Sequence, residues 1–488
     1  MNSSKSALVQ DAAWASLAGS LYGGVILVGF ALSLGAGPLV IGLLAAVPLI
    51  AQASQLPAIL LVERIRQRRK ITLFSVTLAR VFILSLALIP YLGITGLQIP
   101  YLIVAEALIA ILGSIGGCAL NSWLHQLLAQ EVLGAFFARR LFWGTTFACA
   151  GSLFAGVVID WWPFAQSMGA YSFIFSIAAL AGFLSSWFLS QVHEPPMRPS
   201  ESEAKLISEI RLPFKDPNFR NLLVFMASWN VASNIALPFL AVYLIQQLGY
   251  SLSVVTTLWV SSQVANALTI YLWGKLSDRF SNKAVLEVAL PAYFFCVLGF
   301  VFVAVPGGNL FTLCLLYGLH IIMGAAAGGI SLATGNLGLK LAPQGKGTAY
   351  LAAISLVGAL AGGLAPILGG ALAQWFKAYE LSFLVRWVSP VKTTELTMLA
   401  FAHWEFLFAI SAVLGLYVLH SLSKIREGVE VSERVVMQHF ALEAVRTVNH
   451  LSSVGGLLGV LSIVGRIVDR RRRPRYSEPE VSGDSLRP

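Results

Sequence analysis

The sequence predicts an all-α polytopic membrane protein with twelve transmembrane helices in two pseudo-symmetric six-helix halves. Of its 488 residues, 57% are hydrophobic and 11% are charged, and the mean hydropathy is +0.77, whereas a soluble domain carries about 25% charged residues. The apolar residues form runs of about the ~20 residues that a helix needs to cross a bilayer. A polar segment in the middle of the chain leaves six such runs on each side.

The apolar runs and the polar breaks between them give the predicted spans in order. They lie near 12–34, 39–61, 71–93, 100–122, 141–162, 170–191, 220–247, 251–273, 284–306, 310–333, 349–376 and 400–421. The first run is too long for the apolar region of a cleaved signal peptide, so we expect it to be retained as a helix.

The positions of Lys and Arg predict the orientation of these spans. Of the chain's 33 Lys and Arg residues, 29 fall on the side that holds the N-terminus. Lys377, Arg386 and Lys392 fall on the other side, and Arg80 lies within a span. Because cytoplasmic loops carry the excess of positive charge, both termini are predicted to face the cytoplasm of a multi-pass plasma (cell inner) membrane protein. The net charge of +10 is then a topology signal that needs no nucleic-acid partner.

Composition divides the chain into four regions. Residues 1–192 are predicted as the first six-helix half, 193–219 as a polar cytoplasmic linker and 220–422 as the second half. Residues 423–488 are predicted as a cytoplasmic amphipathic and basic tail. Its basic run, residues 470–473, either holds surface helices against anionic lipid or acts only as a stop-transfer cluster.

Short matches between the halves predict an internal duplication. Glu63-Arg64 and Asp278-Arg279 lie 215 residues apart. Leu128-Ala129 and Leu341-Ala342 lie 213 residues apart, an offset that carries Gly156 onto Gly369. Because these offsets agree within two residues, repeated halves explain them better than chance does.

A charged turn between two apolar runs carries a recognisable pattern, Gly274-Lys-Leu-Ser-Asp-Arg-Phe-Ser-Asn-Lys283. It resembles the loop motif of the major facilitator superfamily, which lies between the second and third helices of each six-helix half. The resemblance implies that fold, with two halves rocking about a central site. It also implies a gating role for the matching residues, with a degenerate copy in the first half: Gly274, Asp278, Arg279 and Lys283, and Glu63 with Arg64.

Ionisable groups inside the bilayer are costly and mark pathways or proton relays. Arg80, Glu106 and His320 are the predicted proton-coupling or charge-relay residues, with Glu106 as the counter-charge of Arg80. Each also has a structural interpretation: an ion pair for Arg80, a hydrogen-bonded carboxylate for Glu106 and a neutral packing residue for His320. Glu405, close to the outer end of the last span, is expected at the membrane interface.

Uncharged polar side chains that share helix faces are the predicted lining of a substrate cavity. Such a cavity would suit a neutral or mildly anionic organic solute, although hydrogen bonds between helices would explain the same residues. They are Gln52, Gln55, Trp229, Asn230, Asn234, Gln263 and Asn266.

The sequence contains no phosphate-binding loop, nucleophile elbow or metal-binding His pair, so we expect neither an enzyme nor a cofactor or metal site. The resemblance implies secondary active transport of a small organic solute, with proton-coupled efflux as the expected mode and a monomer in the bilayer as the expected state. The alternative is a membrane assembly or pigment-handling factor that keeps the fold and docks through its tail.

Overall fold

The computed structural model describes residues 2–93, 95–127, 130–163, 167–196, 211–303, 310–343, 347–389 and 393–427, with 438 and 440. Residues 1–431 form one compact unit and 432–488 a second. In the second unit only residues 438 and 440 are described, both helical. The predicted tail helices and basic run therefore lie outside the described residues.

The first half of the chain is helical. Its helices are α1 (Asn2–Tyr22), α2 (Gly24–Ser33), α3 (Pro38–Ala51), α4 (Gln55–Ile65), α5 (Arg68–Leu86), α6 (Thr95–Leu127), α7 (Gln130–Asp160) and α8 (Ser167–Ser190). The pairs α1–α2 and α3–α4 are each one span interrupted near its middle.

The second half has the same order with two additions, a short helix before its first span and a β-hairpin before its last. Its helices are α9 (Leu212–Lys215), α10 (Pro217–Asn234), α11 (Leu237–Val242), α12 (Leu252–Arg279), α13 (Asn282–Gly299), α14 (Leu310–Leu341), α15 (Gly347–Phe376) and α16 (Glu405–Ser423). Strands β1 (Glu380–Val388) and β2 (Thr393–Ala402) form an antiparallel hairpin between α15 and α16.

The described residues contain ten helical stretches of 19 to 32 residues that are long and apolar enough to cross a membrane. Helices α5 and α12, of 19 and 28 residues, add two more of spanning length at 1.5 Å per residue. The result is consistent with the predicted twelve spans. The first helix begins at Asn2, ten residues before the predicted edge.

Equivalent helices of the two halves begin at a nearly constant separation. Helices α2 and α11 begin at 24 and 237, α3 and α12 at 38 and 252, α5 and α13 at 68 and 282, and α6 and α14 at 95 and 310. These starting residues differ by 213 to 215, which confirms the pseudo-symmetric halves. The hairpin then adds residues to the second half before its last span.

The β-hairpin is the main departure from the predicted helical fold. The last span was predicted from residue 400, but Ala402 pairs with Glu380 at the end of β2, and α16 begins at Glu405. Residues 393–402 include Thr393, Thr394, Thr397 and Phe401, and Thr and Phe are residue types that favour strands. The rings of Phe376 and Phe406 stack with their centroids 4.4 Å apart, which joins the end of α15 to the start of α16 beside the hairpin.

Glu405, which the sequence suggested would lie at the membrane interface, is buried within the protein. Its carboxylate accepts hydrogen bonds from the Gln247 side chain and from the Ala402 backbone N–H. It therefore joins the start of the last span to the hairpin and to the end of the seventh span.

Candidate functional site

A cavity of about 520 Å³ lies between the two halves. Its walls come from α1, α2, α3 and α6 of the first half and from α11 to α14 of the second. The lining residues are Tyr22, Gly23, Gly24, Val25, Leu27, Val28, Ile41, Leu44, Ala45, Pro48, Glu106, Leu237, Pro238, Leu240, Ala241, Leu244, Val255, Trp259, Ser262, Gln263, Tyr293, His320, Met323 and Ala327.

The first span of each half is broken where it borders this cavity. Helix α1 ends at Tyr22, and Gly24 adopts a φ of +55°, a conformation that favours glycine. In the second half α10 ends at Asn234, and Pro238 stands in the first turn of α11. Interrupted helices expose backbone groups to a cavity, as in many membrane transport sites.

The halves meet closely on the side of the cavity away from the Gly274 motif. A Cβ on Gly370 of α15 would collide with Pro38 and Leu39 of α3, and a Cβ on Gly156 of α7 would collide with Thr256 and lie 3.0 Å from the Cα of Ser253 on α12. Gly156 and Gly370 are therefore equivalent residues, which replaces the predicted pairing of Gly156 with Gly369. These contacts close that side.

Asp160, at the end of α7, adds a polar contact to this closed side. Its carboxylate accepts hydrogen bonds from the N–H groups of Leu252 and Ser253 at 3.1 and 2.7 Å, and from the Ser253 hydroxyl. A carboxylate at this position also interacts favourably with the dipole of α12. Asp160 therefore fastens the first half to the second.

Glu106 is the acidic residue of the described cavity lining. It lies on α6, is 4% exposed, and its Oε2 atom has no hydrogen-bond partner among the described residues. Tyr22 interacts electrostatically with both Glu106 and Arg80. A buried carboxylate with an unsatisfied oxygen is costly unless a proton or another ligand satisfies it.

His320 faces the same cavity from α14. Its Nδ1 lies 2.8 Å from the Leu316 carbonyl oxygen, and because a carbonyl only accepts, Nδ1 carries the proton. In the neutral ring Nε2 is then an acceptor. The ring packs edge-on against Phe300 at 5.4 Å.

Arg80 is placed differently from the sequence expectation. It is not among the cavity-lining residues, and the described part of the chain shows no ion pair between it and Glu106. The groups that interact with its charge are Asp11 and Tyr22 of α1, and its side chain fills the space beside Gly182 of α8.

Of the predicted polar cavity residues, the structure places Gln263 in the lining. Asn230 and Asn234 donate to backbone carbonyls of their own helix at 2.8 and 2.9 Å, and Asn230 lies against Gly362. Asn266 lies against Gly328 of α14.

Three of the predicted cavity residues pack elsewhere. Gln55 donates to Gln52 within the interruption between α3 and α4. Trp229 packs edge-on against Tyr293 at 5.0 Å. Trp229 thus lies behind an aromatic residue that itself lines the cavity.

The predicted gating motif is mostly helical. Gly274, Asp278 and Arg279 belong to α12, which leaves only Phe280 and Ser281 between α12 and α13. Asp278 and Arg279 are exposed. In the first-half copy Glu63 and Arg64 lie in the last turn of α4.

Lys283 is the buried member of the motif. It lies 3.9 Å from Glu287, and its backbone N–H donates to Glu427. Burial alone would raise the pKa of Glu427, but hydrogen bonds from Lys283, Asn282 and Lys340 outweigh it and hold that pKa below its ordinary value. The segment after the last span is thereby attached to the motif.

Comparison with known proteins identifies the family. The family model described as Major Facilitator Superfamily matches residues 12–366. The chain belongs to the major facilitator superfamily. It is therefore a polytopic membrane transporter and not an enzyme, as the sequence predicted.

Solved transporters of this superfamily share the fold at low sequence identity. The nucleoside transporter NupG, in a mutant form, superposes with a TM-score of 0.67 at 12% identity, covering 87% of this chain and 100% of that one. A D-xylose-proton symporter superposes with a TM-score of 0.61 at 15% identity, covering 87% of this chain and 96% of that one. A bacterial homologue of the iron transporter ferroportin superposes with a TM-score of 0.61 at 12% identity, covering 86% of this chain and 98% of that one. No curated protein matches the chain by sequence.

Two buried polar clusters of this transporter were missed from the sequence. Asp11 accepts from Arg140 at 3.2 Å and from Ser185 at 2.8 Å. Arg68 is fully buried and lies 3.5 Å from Glu194. For the first cluster, the signal available in the sequence was the position of Asp11, an acidic residue just ahead of the first apolar run.

Proposed function

We propose that this transporter moves a small organic solute by alternating access and couples that movement to protons, in the direction of export. The observation that carries the proposal is the cavity between the halves, where the buried Glu106 carboxylate has an unsatisfied oxygen. Such a group has two stable states, protonated or bound to solute. A proton and a solute that use one site in turn produce exchange across the membrane.

The contacts between the halves support alternating access. The closed side is held by glycines that let helix backbones touch and by the Asp160 carboxylate. Such contacts can separate without unfolding a core, because they join two separately packed halves. With the predicted orientation of both termini in the cytoplasm of a cell inner membrane, the closed side is external.

We propose one role for each of the predicted regions of the chain. Residues 1–192 and 220–422 form the two moving halves, 193–219 link them, and 423–488 form the cytoplasmic tail. We propose that the protein acts as a monomer in the bilayer. The predicted gating residues Gly274, Asp278, Arg279 and Lys283 then lie on the cytoplasmic side, where they would form contacts in the outward-facing state.

The solutes named for the fold relatives include a nucleoside, a pentose and metals. A cavity of about 520 Å³ has the volume of sites for small organic molecules, roughly 300 to 1,000 Å³. The described residues contain no group of three potential metal ligands. We therefore propose an organic solute.

The test is solute-triggered proton movement in proteoliposomes that contain a pH-sensitive dye. A panel of organic solutes is added with an imposed pH gradient, using wild type, Glu106→Gln and the control Glu380→Gln, which removes an exposed carboxylate of the hairpin outside the cavity. We expect proton movement with wild type and Glu380→Gln and none with Glu106→Gln. Full proton movement with Glu106→Gln would refute coupling at Glu106.

A second variant separates transport from a docking function. Deletion from Glu433 onward removes the proposed docking segment but leaves both halves. Unchanged solute movement after this deletion supports a carrier. Loss of function together with loss of a co-purifying membrane protein would instead favour the assembly-factor interpretation.

A further inference from the structure

The charge of the cavity lining limits which solutes the cavity can hold. Glu106 is a carboxylate in a wall that contains no Lys or Arg among the described lining residues. The rest of the wall is mainly apolar. An anionic solute would bring a second negative charge into this low-dielectric space without a compensating cation, which is unfavourable.

Aromatic residues complete the environment of the carboxylate. Tyr22, Trp259 and Tyr293 line the cavity from α1, α12 and α13. The faces of aromatic rings attract organic cations, and this attraction is stronger where water is excluded. The wall thus offers one carboxylate and three aromatic side chains to a bound cation.

Repeat symmetry adds a second acceptor. Glu106 and His320 lie 12 and 11 residues into the equivalent helices α6 and α14, so the two halves present their acceptors at matching levels. Because His320 Nδ1 donates to Leu316, its neutral ring offers an acceptor rather than a donor to a bound solute. Both halves therefore favour a positively charged or donor-bearing ligand.

From these contacts we propose that the cavity binds a monovalent organic cation with an aromatic or otherwise apolar body, and that this cation and a proton compete for Glu106. The inference rests on the proposed function and names its substrate class. A divalent metal ion fits less well, because such ions need several oxygen or nitrogen ligands and the described residues offer no group of three. The neutral or anionic solute expected from sequence is replaced by a cation.

Several titratable groups surround the carboxylate. Tyr22, Tyr293 and His320 share its cavity, and Arg80 is the intramembrane charge of α5, the helix packed against α6. Helix α3, which also contacts α6, contributes no titratable side chain. Arg80 interacts with Asp11 and Tyr22, so it does not replace the cation at Glu106.

A pair of probes with one shape and opposite charges tests the proposal. Tetraphenylphosphonium and tetraphenylborate are titrated into the detergent-purified full chain by calorimetry, with protein-free micelles as the blank. Tetraethylammonium extends the cation series to a smaller body. We expect tetraphenylphosphonium to bind at least about tenfold more tightly than tetraphenylborate, because the Glu106 carboxylate attracts the cation and repels the anion of the same shape.

Variants assign the binding to Glu106. Glu106→Gln should weaken tetraphenylphosphonium binding about tenfold or more, whereas the control Glu380→Gln, at an exposed carboxylate of the hairpin, should leave it unchanged. Titration in two buffers of different ionisation heat should show up to one proton released per cation by wild type, and none by Glu106→Gln. If Glu106→Gln does not fold, Trp259→Leu should weaken the cation and Trp259→Phe should restore most of the affinity.

The outcomes separate the two proposals. Equal binding of the two tetraphenyl ions, no binding of either cation, or full affinity in Glu106→Gln overturns the cation assignment. Proton-driven transport of a neutral solute without cation binding would keep the proposed function and reject the cation. Cation binding at Glu106 without proton-driven movement in proteoliposomes would keep the cation site and reject the proposed coupling.

Discussion

Glu427 provides the sharpest test of how the segment after the last span contributes to stability. Its carboxylate accepts from the Asn282 N–H at 3.1 Å, the Asn282 side chain at 2.6 Å, the Lys283 N–H at 2.6 Å and Lys340 Nζ at 3.2 Å. Two of these donors are first-turn N–H groups of α13, which have no partner within the helix. Glu427 thus caps the third span of the second half.

The expected loss of stability on removing Glu427 follows from these hydrogen bonds. Losing an N-terminal cap costs about 1–2 kcal/mol, and charge-assisted bonds contribute more than neutral ones. The bond to Lys340, which is 56% exposed, adds little because water screens it. We expect Glu427→Ala to lower the free energy of unfolding by about 2–3 kcal/mol and Glu427→Gln by about 1 kcal/mol.

The assay is unfolding by SDS in mixed micelles, followed by tryptophan fluorescence. Asp278→Asn is the matched control, because Asp278 lies in the same junction and is exposed. A Glu427→Ala free energy within about 0.5 kcal/mol of wild type, the range of ordinary surface substitutions, would refute the capping argument. An equal loss in Asp278→Asn would refute its specificity.

The same residue predicts a pH dependence. The pKa of Glu427 is held below its ordinary value of 4.5, so its contribution is fully present above that value and is lost as the pH falls through the folded-state pKa. The stability difference between wild type and Glu427→Gln should therefore stay constant from about pH 6 to 8 and shrink below about pH 4.5. A difference that grows on acidification would contradict the assigned hydrogen bonds.

Three further predictions concern the closed side and the start of the linker. Asp160→Ala should weaken closure by about 1–2 kcal/mol, increasing thiol labelling of an Ala45→Cys reporter from the outer side about 5- to 30-fold; unchanged labelling would contradict the cross-half cap. Gly42→Ala should increase the same labelling, because a Cβ there would strike the Pro366 carbonyl, whereas Gly113→Ala, where nothing lies within 4 Å, should not. Arg68→Lys should lower the free energy of unfolding by about 3 kcal/mol, since one ammonium cannot replace a guanidinium that bonds two carbonyls and lies beside a carboxylate. If Arg68→Lys retained wild-type stability in the SDS titration, Lys would suffice at this position and the argument would be wrong.

The helical scaffold was predictable from sequence because each span is a long apolar run, and the bilayer forces such runs into helices. The repeat offset was also readable, from pairs such as Leu128 and Leu341. The hairpin was missed, since its apolar residues have no span-length signal and do not alternate regularly with polar residues. Helix ends were misplaced where a buried polar contact, such as Asp11 with Arg140, extends the helix beyond the apolar run.

The candidate site was predictable only in part. Glu106 and His320 were found because a charge or a titratable ring within an apolar run is conspicuous. The amides were harder to assign, since hydrogen-bonding capacity does not reveal which face a side chain occupies. Asn230 bonds to its own backbone, while Gln263 lines the cavity. Tyr22 and Trp259 carried no signal, because aromatic residues are common throughout the spans.

The internal repeat explains why the helical scaffold was easier to predict from sequence than the residues that line the cavity. Equivalent positions keep the residues that shape the backbone, as Gly156 and Gly370 do where the halves touch. Equivalent positions that face the cavity have diverged, so that a carboxylate in α6 stands opposite an imidazole in α14. The scaffold signal is therefore present in both halves of the sequence, whereas each cavity-facing residue occurs in one half alone. In the proposed cation site, this asymmetry of charge within a symmetric scaffold is what lets one cavity distinguish a cation from an anion.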